Sequence, residues 1–82
     1  MIVFPNPASQ SERITLYFEQ TFKNTMQITI SNIKGMELKR HKVLLPLNGK
    51  KYMLPQHNFA PGLYTIKVEC DGKKGTQRLI IH

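Results

Sequence analysis

Apolar and polar residues alternate one by one along most of this chain. That period of two is its strongest constraint, because successive side chains of a β-strand point to opposite faces. Ile14, Leu16 and Phe18 share one face against Thr15 and Tyr17, and Met26, Ile28 and Ile30 oppose Gln27, Thr29 and Ser31. Tyr64, Ile66, Val68 and Cys70 oppose Thr65, Lys67 and Glu69, while Leu79 and Ile81 alternate with Arg78 and Ile80. Shorter strands are expected at Ile2 to Phe4, Met36 to Val43 and Lys50 to Leu54. No stretch of useful length carries the i, i+3, i+4, i+7 stripe of an amphipathic helix.

Turn signals separate these runs: Pro5-Asn6-Pro7, Lys23-Asn24, Asn32-Ile33-Lys34-Gly35, Asn48-Gly49, Pro61-Gly62 and Asp71-Gly72. About seven short strands at intervals of roughly 10 residues point to an all-β fold, an immunoglobulin-like antiparallel β-sandwich. The 82 residues hold no internal repeat and are expected to form a single domain, 1–82. A chain this short buries only about two-thirds of the surface its unfolded form exposes, which argues against a deep catalytic cleft.

The stretch Phe59-Ala60-Pro61-Gly62-Leu63-Tyr64 stands directly before a clean strand. Proline fixes φ near −65° and glycine accepts positive φ, so Pro61-Gly62 reads as a type II turn, and Gly62→Val is expected to damage the domain. Tyr64 then enters with its ring inward and its hydroxyl within reach of the preceding loop, similar to the tyrosine corner of immunoglobulin-like sandwiches.

A single cysteine, Cys70, forbids an internal disulfide, and its phase with Val68 makes it packing material. Lys and Arg outnumber Asp and Glu by 12 to 5, for a formal charge of +7. That balance fits nucleic acid, an anionic membrane surface or simple solubility. Single-stranded nucleic acid needs exposed aromatics for stacking, whereas Phe18, Tyr52 and Tyr64 fall on apolar faces, so no nucleic acid is expected as a partner. The basic groups are Lys39-Arg40-His41-Lys42, Lys50-Lys51 and Lys73-Lys74; if the middle strands pair as a hairpin, the first two share a surface. His41, His57 and His82 lack metal-ligand spacing with Cys70 or the carboxylates, and no Gly-rich phosphate loop is present. No catalytic residue, cofactor or metal is expected. No run approaches the roughly 20 apolar residues of a membrane-spanning helix, and the start, MIVFPNP, lacks the charged and apolar regions of an export signal.

Three stretches, in order, carry a family resemblance. Val3-Phe4-Pro5-Asn6-Pro7-Ala8-Ser9 resembles the opening of the C-terminal sorting domain of the type IX secretion system (Por secretion, type A). Ile28-Thr29-Ile30-Ser31-Asn32-Ile33-Lys34-Gly35 is similar to that family's strand closing in an Asp/Asn-x-x-Gly turn, and Phe59 to Val68 to its apolar-x-x-Gly-x-Tyr strand start. Gln77-Arg78-Leu79-Ile80-Ile81-His82 resembles its short basic and apolar last strand. Three departures stand out: a longer loop from Ser9 to Arg13, Pro55-Gln56-His57 before the corner, and a final His82 in place of Lys or Arg.

The resemblance implies a non-enzymatic address label, excised from the end of a larger secreted cargo protein, with Met1 then an introduced start or a truncation point. Such domains pass through the periplasm and guide a folded cargo to an outer-membrane translocon. A sortase-like peptidase then removes them and joins the cargo to surface lipopolysaccharide, an anionic partner suited to a basic domain. The oligomeric state is left open. The residues expected to serve recognition or to specify the fold are Pro5, Asn6, Pro7, Asn32, Gly35, Pro61, Gly62, Tyr64, Arg78, Leu79, Ile80 and Ile81. Residues 76 to 82 are expected to offer a free sheet edge to a partner strand, with Pro5-Asn6-Pro7 a stiff turn. The competing expectation is an accessory immunoglobulin- or fibronectin-like module of an extracellular enzyme or adhesin. The absence of Trp weighs against its carbohydrate-binding form, and the ordered motifs favour sorting.

Overall fold

Each alternating run becomes a strand. The computed structural model describes residues 1–19, 25–43, 50–55 and 58–82. Among these the chain forms seven strands and no helix: β1 (Ile2–Phe4), β2 (Thr15–Tyr17), β3 (Met26–Asn32), β4 (Glu37–Val43), β5 (Lys51–Met53), β6 (Gly62–Cys70) and β7 (Lys73–Ile81). The turns expected at Lys23-Asn24 and Asn48-Gly49 lie outside the described residues, as do Gln56 and His57.

The strands pair antiparallel in two sheets, a narrow one in the order β1-β2-β5 and a wide one in the order β4-β3-β6-β7. This is an all-β sandwich compatible with the immunoglobulin-like architecture. One face of each sheet turns inward. Ile14 and Leu16 on the narrow side and Met26, Ile28, Ile66 and Leu79 on the wide side are fully buried. Each such side chain contributes about 1.5–3 kcal/mol through removal from water. Cys70 is buried among them, in the phase its sequence position implies.

A two-residue turn joins the two longest strands. Asp71 and Gly72 both take positive φ, 53° and 76°, a geometry whose twist matches that of the strands it joins. The pairing of β6 with β7 therefore runs without a slip from Cys70↔Lys73 to Gly62↔Ile81.

Two readings are settled against. First, the hairpin on which a shared basic surface is conditional does not form: β4 pairs with β3, and β5 pairs with β2 in the other sheet. The cluster Lys39-Arg40-His41-Lys42 is thus on a different sheet from Lys51. Its outward-facing members instead join other cations across the wide sheet, because the register places Lys42, Gln27, Glu69 and Lys74 in one row and Arg40, Thr29, Lys67 and Thr76 in the next. Second, Gly62 is the first residue of β6 and its φ is not positive, unlike that of Gly35 and Gly72. A side chain added there meets only Tyr64 and the Ala60 carbonyl at ordinary contact distances of 3.8–3.9 Å. Extended backbone suits a branched residue, so the expected damage from Gly62→Val loses its basis.

Ile66 occupies the middle of the wide sheet with no exposed surface. Ile66→Ala is expected to cost about 2–5 kcal/mol, read as a lower urea midpoint at an unchanged slope.

Candidate functional site

Proline cannot donate a backbone hydrogen bond, so a segment reading Pro5-Asn6-Pro7 cannot form an ordinary ladder with a neighbouring strand. Asn6 replaces that ladder with its side chain. Its Nδ2 donates to the carbonyl of Arg78 at 2.7 Å, and its Oδ1 accepts the Ile80 N–H at 3.0 Å. Ala8, fully buried, continues by backbone: its N–H donates to the Ile80 carbonyl at 2.8 Å, and its carbonyl accepts the His82 N–H at 2.9 Å. Together these bonds close the outer edge of β7 from Arg78 to His82. The expected free edge is therefore absent at this end of the strand, and Pro5-Asn6-Pro7 is a clamp rather than only a turn.

The second motif is a self-contained turn. Asn32 ends β3, and its Oδ1 accepts the N–H groups of Lys34 and Met36, both at 3.0 Å. Its carbonyl accepts the Gly35 N–H at 2.9 Å, and Gly35 takes φ of 84°. A short side chain with an acceptor oxygen, Asn or Asp, supplies those two bonds, and glycine suits the left-handed backbone.

The third motif forms the corner anticipated from the sequence. The Tyr64 hydroxyl donates to the Ala60 carbonyl at 2.5 Å, and its ring stacks on Phe59 with centroids 4.9 Å apart and planes 22° from parallel. The loop from Ser9 to Arg13 ties this corner down, with Gln10 Nε2 donating to the Phe59 carbonyl at 3.3 Å and Arg13 to the Leu54 carbonyl at 3.2 Å.

Strand register brings all three motifs together. Asn32 pairs with Tyr64, Tyr64 pairs with Leu79, and the outer side of the Arg78–Ile80 backbone meets Asn6. Gly62 pairs with Ile81, and Leu63 with Ile80. Stretches up to 74 residues apart in the chain thus form one end of the wide sheet. Leu79 and Ile81 point into the core, while Arg78 and Ile80 are exposed, Ile80 at 45%. Sequence reasoning missed Ala8 as part of this assembly, although its place after the second proline makes it the first residue there able to resume backbone pairing.

A family model described as the secretion system C-terminal sorting domain matches residues 2–82. The chain belongs to the family of type IX secretion C-terminal sorting domains. No curated protein matches it. The family is one of sorting signals rather than catalysts, and a type IX sorting domain implies export, with secretion or cell-surface attachment, through interaction with the secretion system. Among the described residues of this sorting domain no group of three or more His, Cys, Asp or Glu is arranged to hold a metal ion. The outward face of its wide sheet is basic, with Lys67 beside Glu69 at 3.3 Å and Arg40 donating to Glu37 at 2.6 Å. The hydrogen bond to Glu37, and then its charge, hold the Arg40 pKa above its ordinary value.

Asn6→Ala leaves the Arg78 carbonyl and the Ile80 N–H to water and is expected to cost about 0.5–1.5 kcal/mol in urea unfolding. Gly35→Ala, which forces a side chain onto left-handed backbone, is expected to cost about 1–2 kcal/mol. Gly62→Val, free of that strain, is expected to stay within about 0.5 kcal/mol of the parent, in contrast to Gly35→Ala.

Proposed function

We propose that residues 1–82 act as a non-catalytic sorting signal cut from the end of a larger secreted cargo. The signal engages the outer-membrane translocon after passage into the periplasm, and a sortase-like peptidase removes it as the cargo is attached at the cell surface. The observation that carries this reading is the convergence of all three family motifs with the terminal strand at one end of the wide sheet. Roles divide by what each side chain contacts. Asn6, Asn32, Gly35, Tyr64, Leu79 and Ile81 hold the shape of that end, Pro5, Pro7, Pro61 and Gly62 route the chain into it, and Arg78 and Ile80 face outward for a partner to read. The basic outer face, with Arg40, Lys42, Lys67 and Lys74, is matched by charge to anionic lipopolysaccharide.

The reading is tested by placing residues 1–82 behind a Sec signal and a fluorescent protein, in a bacterium with the type IX machinery and in a machinery-null strain. Fluorescence is expected outside the outer membrane only where the machinery is present. Retention in the periplasm of both strains, with the domain folded, would sink the proposal in favour of an accessory sandwich module. Deleting residues 76 to 82 also removes Leu79 and Ile81 from the core, so a point change separates recognition from folding. Ile80→Asp is expected to preserve the melting temperature while lowering delivery by roughly tenfold, the size of effect a central contact residue carries.

A further inference from the structure

Among the described residues, the outer edge of β7 is closed at one end and without a backbone partner at the other. Along an antiparallel strand, both backbone groups of every second residue point away from the paired neighbour. The bonds from Ile80 and His82 to the clamp identify these as the even-numbered residues. With no slip in the register, the N–H and C=O of Lys74 and Thr76 and the N–H of Arg78 also point outward, and among the described residues they meet no partner. Next to this open stretch lies a cleft of about 270 Å³. Met1, Phe18, Val68 and Cys70 supply its apolar lining, and Lys73, Lys74 and Glu19 its polar lining.

We propose that the edge from Lys74 to Arg78 accepts an extended acidic peptide segment as an added strand. Side chains of an added strand alternate between the two faces of the sheet. On one face they lie beside Lys74, Thr76 and Arg78, whose two cations favour carboxylates; on the other they meet the cleft, which favours apolar groups. The contact of Asn6 with Arg78 ends the available ladder, so the site takes about five residues, the length of a typical strand. A second copy of this chain is disfavoured because each copy carries +7, and the occupant is therefore an acidic segment of another protein. The inference rests on the sorting reading for its cellular meaning, since it names the chemistry of the segment that such a partner would present. The binding itself can be measured without the secretion machinery.

The probe is an acetylated and amidated heptapeptide of alternating glutamate and valine, titrated into the isotope-labelled chain while backbone amide signals are followed. Shifts are expected to centre on Lys74, Gly75 and Thr76 and to include Val68. Thr76→Pro removes an outward N–H at a position where an edge strand tolerates proline, and is expected to abolish the shifts with the fold intact. Lys74→Glu changes only an exposed side chain and is expected to weaken the peptide about tenfold, with a lysine-valine peptide failing to bind. Unchanged affinity in both variants, or shifts centred on β4 at the opposite edge, would overturn the inference. A failed titration leaves the sorting reading intact, whereas a fused cargo retained in the periplasm overturns sorting and leaves the titration result standing.

Discussion

A terminal strand at the edge of a sheet leaves every second N–H and C=O without a ladder partner, and in this fold Asn6 and Ala8 answer four of those groups. Much else depends on that closure. With its outer side held, β7 keeps its register against β6, which keeps Leu79 and Ile81 in the core and Ile80 outside. The same register sets Leu79 beside Tyr64 and Tyr64 beside Asn32, so the clamp, the corner and the turn support one another across the sheet. A side-chain amide suits the task because it presents a donor and an acceptor together, which neither flanking proline can do through its backbone.

This arrangement gives a physical reason for a sorting domain to keep widely spaced motifs in fixed order. The motifs are principally devices of shape: a clamp, an asparagine-bonded turn and a tyrosine-bonded corner. On the outer face of the sheet end they expose Arg78 and Ile80, with Leu63 half-buried beside Ile80, while Phe4 before the clamp and Ile33 in the turn are exposed as well. The placement of these residues is fixed by contacts from stretches far apart in the chain. The basic outer face lies on the same sheet as this end.

Periodicity made most of the fold legible. Each alternating run became a strand with the anticipated inward face, because burial of one face fixes strand phase strongly. Pairing was less legible: whether β4 and β5 form a hairpin stayed open, because sheet membership depends on long-range contacts that local pattern does not encode. Gly62 misled because Pro-Gly has a strong turn preference, while here the extended start of β6 decided its backbone. The corner was legible because Tyr64 offers one apolar face and one hydroxyl, which limits where it can sit. The clamp was not, since its partners are 72 and 74 residues away in sequence.

The central claim is that the amide of Asn6 and the backbone of Ala8 hold the end of β7 while, among the described residues, its beginning has no partner. Native-state amide hydrogen exchange on the unmodified chain tests this most directly, because it reads individual N–H groups along the strand. The account predicts slow exchange at Ile80 and His82 and fast exchange at Lys74 and Thr76, although all four N–H groups point to the same outer edge. Exchange at Ile80 as fast as at Thr76 would contradict it, and would mean that the terminal strand presents one uniformly open edge.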